Sequence, residues 1–363
     1  VSVLIRGDES EGGGQILRTS LALAALTGQG FEIVDIRRKR PSPGLQAQHL
    51  AAVRLAARLC SARVAGDEIG SCRLSFRPGP LRAGGFEMDV GTAGSLTLLL
   101  QAVLLPALAA PGPVVLTLQG GTDVRWSCPA DYLERVILPY FRLLGGVRQT
   151  VVRRGFYPSG GGRLELVVEP RSEEGEVPPL AGENPAWHRV RRRLRLPAAD
   201  LTERRPLVAV RGVSVAAEKL RPRQVAERQK EAAQEVLARA GLELPVSIDV
   251  DYGPSLSPGS ALVLWAEGAV GAWPLRLGAD RLGERGVPAE EVGRRAAALL
   301  LSRMAQAAPV EEHLADNLVP LLGLAGGAMR CQVVSDHTRA NIYVVEQFSG
   351  LRYRVEGNLI EVA

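Results

Sequence analysis

Lysine is nearly missing from this 363-residue chain. Of its 44 basic residues only Lys39, Lys219 and Lys230 are lysines, and the rest are arginines. No lysine precedes Ser or Thr, which excludes a Walker-type phosphate loop, and no Lys-x-Asp-Gly run exists, which excludes a lysine-adenylating ligase. Any phosphate site must rely on arginine forks, backbone N–H groups or a metal. The four cysteines, Cys60, Cys72, Cys128 and Cys331, form no Cys-x-x-Cys pair, which argues against a structural zinc site and fits a reducing compartment. Long apolar runs are also lacking. The longest, from Leu98 to Ala110, contains Gln101 and Pro106 and is too short to span a bilayer. The N-terminal residues, Val1 to Asp8, do not read as a signal peptide, so a soluble, cytoplasmic protein with no membrane partner is expected.

What remains is ordinary globular composition. Apolar residues make up 46% and charged residues 23%, and the net charge of +5 gives a mild preference for anionic partners. The length suggests about two domains. Strand and helix signals recur in one order. Strand Val3–Ile5, helix Gln15–Leu26, strand Phe31–Ile36, helix Leu45–Leu59 and strands Arg63–Ala65 and Arg73–Phe76 form a first unit. A second unit runs through Phe86–Val90, Ser95–Leu108, Val114–Leu118, Tyr132–Leu144, Val147–Val152 and Leu164–Val168. A third, less regular unit starts near Leu262–Ala266 or Pro274–Leu277. It continues through helices Pro288–Ala307 and Glu312–Leu324, strand Arg330–Val334, helix His337–Phe348 and strands Leu351–Val355 and Asn358–Val362. This repetition reads as an α/β (α+β) architecture with helices on one face of each sheet.

Between the second and third units the texture changes. Glu169 to Arg205 is linker-like, and Pro206–Val215, Gln224–Ala240 and Val246–Tyr252 read as strand, helix and strand. The expected division is residues 1–180, a small inserted α/β domain at 181–276, and 277–363. The arginine-rich run Arg189 to Leu196 reads as a strand, either a solvated face or an RNA contact.

Several small-residue runs precede helices. Glu11-Gly12-Gly13-Gly14-Gln15 fits either a plain glycine turn or an anion cradle at a helix N-terminus, with Glu11 able to hold Mg²⁺ and Arg18 to add a fork. Arg37 to Arg40 lie before a helix carrying Gln48 and His49, where cations are electrostatically awkward unless an anion offsets them. Gln101 is a lone polar residue on an apolar helix and needs partners, from the core or from a ligand. Gly155-Phe156-Tyr157-Pro158-Ser159-Gly160-Gly161-Gly162 sets aromatics beside a glycine run.

Four histidines are available. His188 falls in the linker-like region and is expected to be exposed, and His49 is placed to position phosphate. His313 shares a helix face with Asp316 and Asn317. His337 opens a helix one turn before Asn341, where the helix dipole keeps an imidazole neutral and nucleophilic.

Together these runs resemble the RNA 3′-terminal phosphate cyclase family. The matches are Glu11 to Arg18, Pro43-Gly44-Leu45 with Gln48-His49-Leu50, Gly91-Thr92-Ala93-Gly94-Ser95, Gly120-Gly121-Thr122-Asp123 and Gly155-Phe156-Tyr157-Pro158. Leu314-Ala315-Asp316 with His337 and Asn341-Ile342 complete them, in the family's order. The resemblance implies three βαβαββ units similar to the C-terminal domain of translation initiation factor 3, plus a small insert. It also implies ATP as co-substrate with Mg²⁺ or Mn²⁺, RNA with a 3′-phosphate end as partner, and His337 as the nucleophile that takes AMP. AMP then passes to the RNA 3′-phosphate, giving an RNA(3′)pp(5′)A intermediate, and the 2′-OH closes a 2′,3′-cyclic phosphate. Arg37, Arg40 and His49 fall in the catalytic set, and Gln15, Arg18, Gln48, Gln101, Pro129, His313, Asp316 and Asn317 in the nucleotide site. Glu11 falls at the metal.

There are departures. The family often has an aromatic where His313 stands, a longer amide at Asn317 and a proline at Cys128. A non-catalytic, RNA-binding scaffold of ribosome assembly is the alternative, but that branch lacks the nucleophilic histidine. An enolpyruvyl-transferase-like enzyme leaves the His337 and Asp316 matches unexplained. A homodimer is left open.

Overall fold

The computed structural model describes residues 2–10, 12–171 and 174–362. The chain begins with β1 (Val3–Arg6), α1 (Gly14–Thr27), β2 (Phe31–Val34), α2 (Ala47–Leu59), β3 (Arg63–Ala65) and β4 (Leu74–Arg77). Their sheet has the order β1-β2-β4-β3, with β1 parallel to β2 and the other pairs antiparallel. Next come β5 (Gly84–Asp89), α3 (Leu96–Gln101), α4 (Leu104–Leu108), β6 (Val114–Gly120), α5 (Ala130–Tyr132), a π-helical turn (Leu133–Ile137), α6 (Leu138–Phe141), β7 (Gly145–Arg153) and β8 (Gly162–Pro170). Their sheet, β5-β6-β8-β7, repeats the same pairing senses.

Two helices expected to be continuous are interrupted, and proline explains both. Pro106 has no N–H to give the Ala102 carbonyl, so Ser95–Leu108 splits into α3 and α4 at residues 102–103. Pro139 likewise cannot bond Arg135, and Tyr132–Leu144 passes through the π-helical turn before α6 begins with that proline in its first turn.

The stretch expected to be linker carries α7 (Pro185–Arg193) and β9 (Ala199–Leu201). The run Arg189 to Leu196 is therefore not a strand. Asn184 caps α7 by accepting from the Trp187 N–H at 2.9 Å, and Pro185 takes the first helical position. Nor is the run a solvated face throughout. Buried Arg191 donates to the Leu324 and Pro178 carbonyls and to Glu183, at 2.8–2.9 Å. His188 is half-buried rather than exposed, 2.6 Å from the same carboxylate.

The chain continues with β10 (Leu207–Ala217), α8 (Val225–Arg239), β11 (Val246–Gly253), β12 (Ser260–Gly268), β13 (Arg276–Leu282) and α9 (Ala289–Ala305). These strands form a sheet of order β11-β10-β12-β13, and their apolar faces meet α8 and α9 in a core of their own around Leu237, Leu264, Ala296 and Leu300. The last elements are α10 (Glu312–Ala325), β14 (Gly327–Arg330), α11 (Asp336–Ser349), β15 (Tyr353–Glu356) and β16 (Leu359–Val362). Their sheet has the order β15-β16-β14-β9, with β9 parallel to β14 and the other two pairs antiparallel. The strands expected to start the third unit, at 262–266 or 274–277, fall in β12 and β13 of the preceding sheet, and the last sheet has β9 as its parallel edge strand. The boundary expected at 276–277 falls at the start of β13, which is paired with β12 along its length.

Helix α1 is buried over nearly its whole length and packs against α2, α3, α4, α7 and α11. From Leu21 to Leu26 it is wholly apolar, as a helical stretch without a solvent face requires, while its N-terminal half carries buried polar side chains. Among the described residues, no helix is long and apolar enough to cross a membrane.

A buried ion cluster joins the second sheet to the β10–β13 part. Arg154, 5% exposed, sits 2.5 Å from Asp131, 3.5 Å from Asp123 and 3.6 Å from Asp251 on β11. Removing the cation leaves the buried Asp123 carboxylate unpaired beside half-buried Asp131. Arg154→Met is expected to lower the unfolding free energy by about 3–5 kcal/mol, measured by urea denaturation. A loss below about 1 kcal/mol would show that the cluster is solvated rather than buried.

Candidate active site

The first turn of α1 carries Gln15, Arg18 and Thr19, all buried. Gln15 Oε1 accepts from Arg18 Nη2 at 2.9 Å, and Arg18 Nε donates to Gln101 Oε1 on α3 at 2.8 Å. Gln101 Nε2 reaches Asn317 Oδ1 on α10 at 3.2 Å. The partners that a polar residue on an apolar helix must find are therefore protein side chains. In the other direction, Asn341 Oδ1 on α11 accepts from Gln15 Nε2 at 3.1 Å and from Thr19 Oγ1 at 2.6 Å. Asn341 Nδ2 donates to the Asp316 carbonyl at 2.6 Å. The network lies over a cavity walled by Gln15, Gln101 and Asn341 and floored by Leu100, Leu104 and Leu105.

His337 is the second residue of α11, half-buried, and one turn before Asn341. The start of that helix is fixed by Ser335, whose Oγ accepts from the Thr338 N–H at 3.1 Å. Asp316 Oδ1 then takes both the Ser335 and Thr338 hydroxyls, at 2.9 and 2.7 Å. Burial pushes the Asp316 carboxyl above its ordinary value, opposed by those hydroxyls and by His337 and His313. Asp316 thus braces the turn that bears His337.

Gly14 lies where His49 and Arg18 meet. A Cβ there would come within 2.5 Å of His49 Nε2 and 2.7 Å of Arg18 Nη1, so any larger residue would displace these two side chains. His49 Nδ1 accepts from the Gln46 N–H at 3.2 Å, half of a capping box that starts α2. Accepting at Nδ1 places the imidazole proton on Nε2, aimed beside the glycine loop. Burial, with Arg18 and Arg37 adding to it, lowers the His49 pKa to about 3, so the ring is neutral at pH 7. Gln48 Oε1 accepts from the Ser95 N–H at 2.8 Å, joining α2 to the start of α3.

The basic run lies beside the glycine loop. Lys39 Nζ donates to the Ser10 carbonyl at 2.9 Å, and its side chain packs on Gly12. Arg37 Nη1 donates to the carbonyls of Ser42 and Gly44, at 2.6 and 3.1 Å, bracing the turn before α2. Desolvation, with Arg40 nearby, lowers its pKa. Glu11, the expected metal ligand, lies outside the described residues. Among those described, no group of three or more His, Cys, Asp or Glu is placed to hold a metal.

The segments bearing Pro129 and His313 are joined through a residue that the sequence analysis missed. Fully buried Glu311 caps α10, accepting from the His313 and Leu314 N–H groups at 3.0 and 2.8 Å. It also accepts from the Tyr132 hydroxyl on α5, which Pro129 precedes, and pairs with Arg303 at 3.1 Å. His313 itself is exposed, while Pro129 is buried. A carboxylate immediately before a helical run was the one local signal that could have pointed to Glu311. Thr19, Ser335 and Thr338 carried no comparable signal. Asp123 and Asp131, which flank the segment bearing Pro129, are committed to Arg154.

The sequence as a whole matches a known family. The profile described as RNA 3′-terminal phosphate cyclase matches residues 9–355. Curated relatives with that name include proteins of Pyrococcus furiosus, 41% identical over 99% of this chain and 96% of theirs, and Methanopyrus kandleri, 42% over 97% and 95%. Another, from Pyrobaculum neutrophilum, is 43% identical over 98% of this chain and 95% of its own. The chain belongs to the RNA 3′-terminal phosphate cyclase family.

The low pKa of His49 has a consequence for stability. Below the unfolded value of 6.5 the unfolded chain binds a proton at this ring that the folded chain refuses until about 3. Stability therefore falls as pH drops through that window, by up to about 1.4 kcal/mol per pH unit from this group alone. His49→Gln removes that part of the slope between pH 6.5 and about 5 in urea titrations. Parallel pH profiles for the variant and the wild type would contradict a buried neutral ring.

Proposed function

We propose that the protein is an ATP-dependent ligase that converts RNA 3′-phosphate ends to 2′,3′-cyclic phosphates. The observation that carries this reading is the Gln15–Asn341–Asp316 network, which brings the α11 start bearing His337 to the glycine loop, Arg18 and His49. On this reading the adenine lies between Pro129 and His313 and the ribose near Asp316 and Asn317. The phosphates lie among Gln15, Arg18, Gln48, His49 and Gln101, with Arg40 adding charge and Arg37 holding its loop. The neutral His49 donates from Nε2 to a phosphate oxygen without carrying charge itself.

His337 nitrogen forms a bond to the α-phosphorus of ATP as the bond to pyrophosphate breaks. The RNA 3′-phosphate oxygen then takes the AMP from His337, giving RNA(3′)pp(5′)A. Finally the vicinal 2′-OH attacks the activated phosphate and AMP leaves. A divalent cation, Mg²⁺ or Mn²⁺, would supply charge neutralisation for the departing pyrophosphate, held by Glu11 and phosphate oxygens. Such shared coordination suits Mg²⁺, which seldom uses an all-protein cage.

The architecture fits three βαβαββ units, as in the C-terminal domain of translation initiation factor 3. They would comprise residues 3–77, 84–170, and 199–201 with 312–362. On this division the inserted domain would span about 207–305, a reading supported by the pairing of β13 with β12 and by the core that α8 and α9 share with that sheet.

Incubation with ATP labelled at the α-phosphate is expected to give acid-labile, base-stable label on the protein. His337→Ala loses the label, whereas His313→Ala keeps it. An unlabelled wild type with bound ATP would favour the scaffold reading instead.

A further inference from the structure

The run from Gly155 to Gly162 is absorbed by neither the nucleotide site nor the core, and its structure is held tightly. Gly155 exchanges hydrogen bonds with Thr122 and accepts from the Asp123 N–H at 2.8–3.2 Å, pairing this loop to the one that leads to Pro129. Gly160 packs on Ala93, where a Cβ would come within 2.6 Å. On the third side, Arg154 N–H donates to the Pro254 carbonyl at 3.0 Å, and Ser159 N–H donates to Ser257 Oγ at 3.1 Å. Phe156 is buried against Gly259 as the anchor. Its neighbour Tyr157 is 75% exposed.

The partner loop presents a second ring. Trp126 is 94% exposed, on a backbone with φ 68°, a conformation that bulky residues seldom adopt. Two residues on, the Cys128 carbonyl accepts from Thr97 Oγ1 at 2.8 Å, and Thr97 lines the cavity under the site. Leu256, also exposed, borders the same glycine run. The surroundings are basic. Exposed Arg125 pairs with Glu284 at 3.0 Å, drawing in the segment that bears the exposed Arg281 and Arg285, and Arg153 braces Gly161.

Two solvent-exposed aromatic rings on braced loops, beside arginines and linked through Thr97 to the cavity under the proposed nucleotide site, match the chemistry that binds single-stranded nucleic acid. Bases stack on the rings while arginines follow the backbone. We propose that Trp126 and Tyr157 form the stacking platform for the 3′-terminal bases of the RNA substrate. This deepens the cyclase reading and rests on it. The loops are already fixed by the bonds above, so little ordering entropy opposes binding.

Trp126 supplies its own readout, because Trp187, Trp265 and Trp273 are all buried. Titration of the full chain with a short single-stranded RNA bearing a 3′-phosphate is expected to quench its emission, and a 3′-terminal abasic RNA to quench it far less. Trp126→Ala and Tyr157→Ala should each weaken RNA binding about 5- to 100-fold, and Trp126→Phe should recover most of the loss. Labelling of His337 by ATP involves no RNA and reports whether each variant is folded. Emission unmoved by saturating RNA, or unchanged RNA affinity in labelled alanine variants, overturns the platform. A wild type that takes no label refutes the adenylylation reading instead, and the quenching still decides this one.

Discussion

One side-chain amide holds the two ends of the chain to a common purpose. Asn341 accepts from Gln15 and Thr19 on the first helix and donates to the Asp316 carbonyl on α10, so helices far apart in sequence share one polar centre. The amide is 1% exposed, and a buried group of this kind is costly unless satisfied. Its bonds therefore fix the register of α11 against α1. That register decides where His337, one turn earlier, stands relative to Arg18 and His49. Removing Asn341 would orphan donors on α1 and loosen the α11 start that bears His337 together.

Two further buried carboxylates do similar work elsewhere. Glu311 gathers the α10 start, Tyr132 and Arg303, so the segments carrying His313 and Pro129 are tied to one carboxylate. Asp316 gathers Ser335 and Thr338. Each spends hydrogen-bonding capacity on orienting a neighbour, which is how a site is held to the precision that group transfer demands. The arginines divide likewise. Arg37 and Arg191 are committed to backbone carbonyls, so an arginine-rich sequence does not translate directly into anion-binding surface.

Much of the fold was legible because hydrophobic period and small-residue turns are local signals. Helices α1, α2, α8, α9, α10 and α11 lie where the apolar stripes placed them. What was not legible depended on distant partners. Strand β9 has three residues and makes sense only beside β14, more than a hundred residues away. Helix α7 was hidden by its arginines, although the Asn184-Pro185 pair at its start was a readable cap. The effects of Pro106 and Pro139 were likewise local and readable. In the site, the glycine loop, Gln15, Arg18, His49, Asp316 and Asn341 were marked by motif. Glu311 and Thr19 act through contacts across the fold, which no spacing along the chain encodes.

The central claim is that this polar centre presents His337 as the acceptor of AMP. The most direct measurement is mass spectrometry of peptides from protein incubated with ATP and Mg²⁺ and digested under alkaline conditions. The account predicts one AMP on the peptide containing residues 336–341, with fragmentation placing it on the His337 ring. An adduct on any other residue would contradict it, as would no adduct in protein that binds ATP.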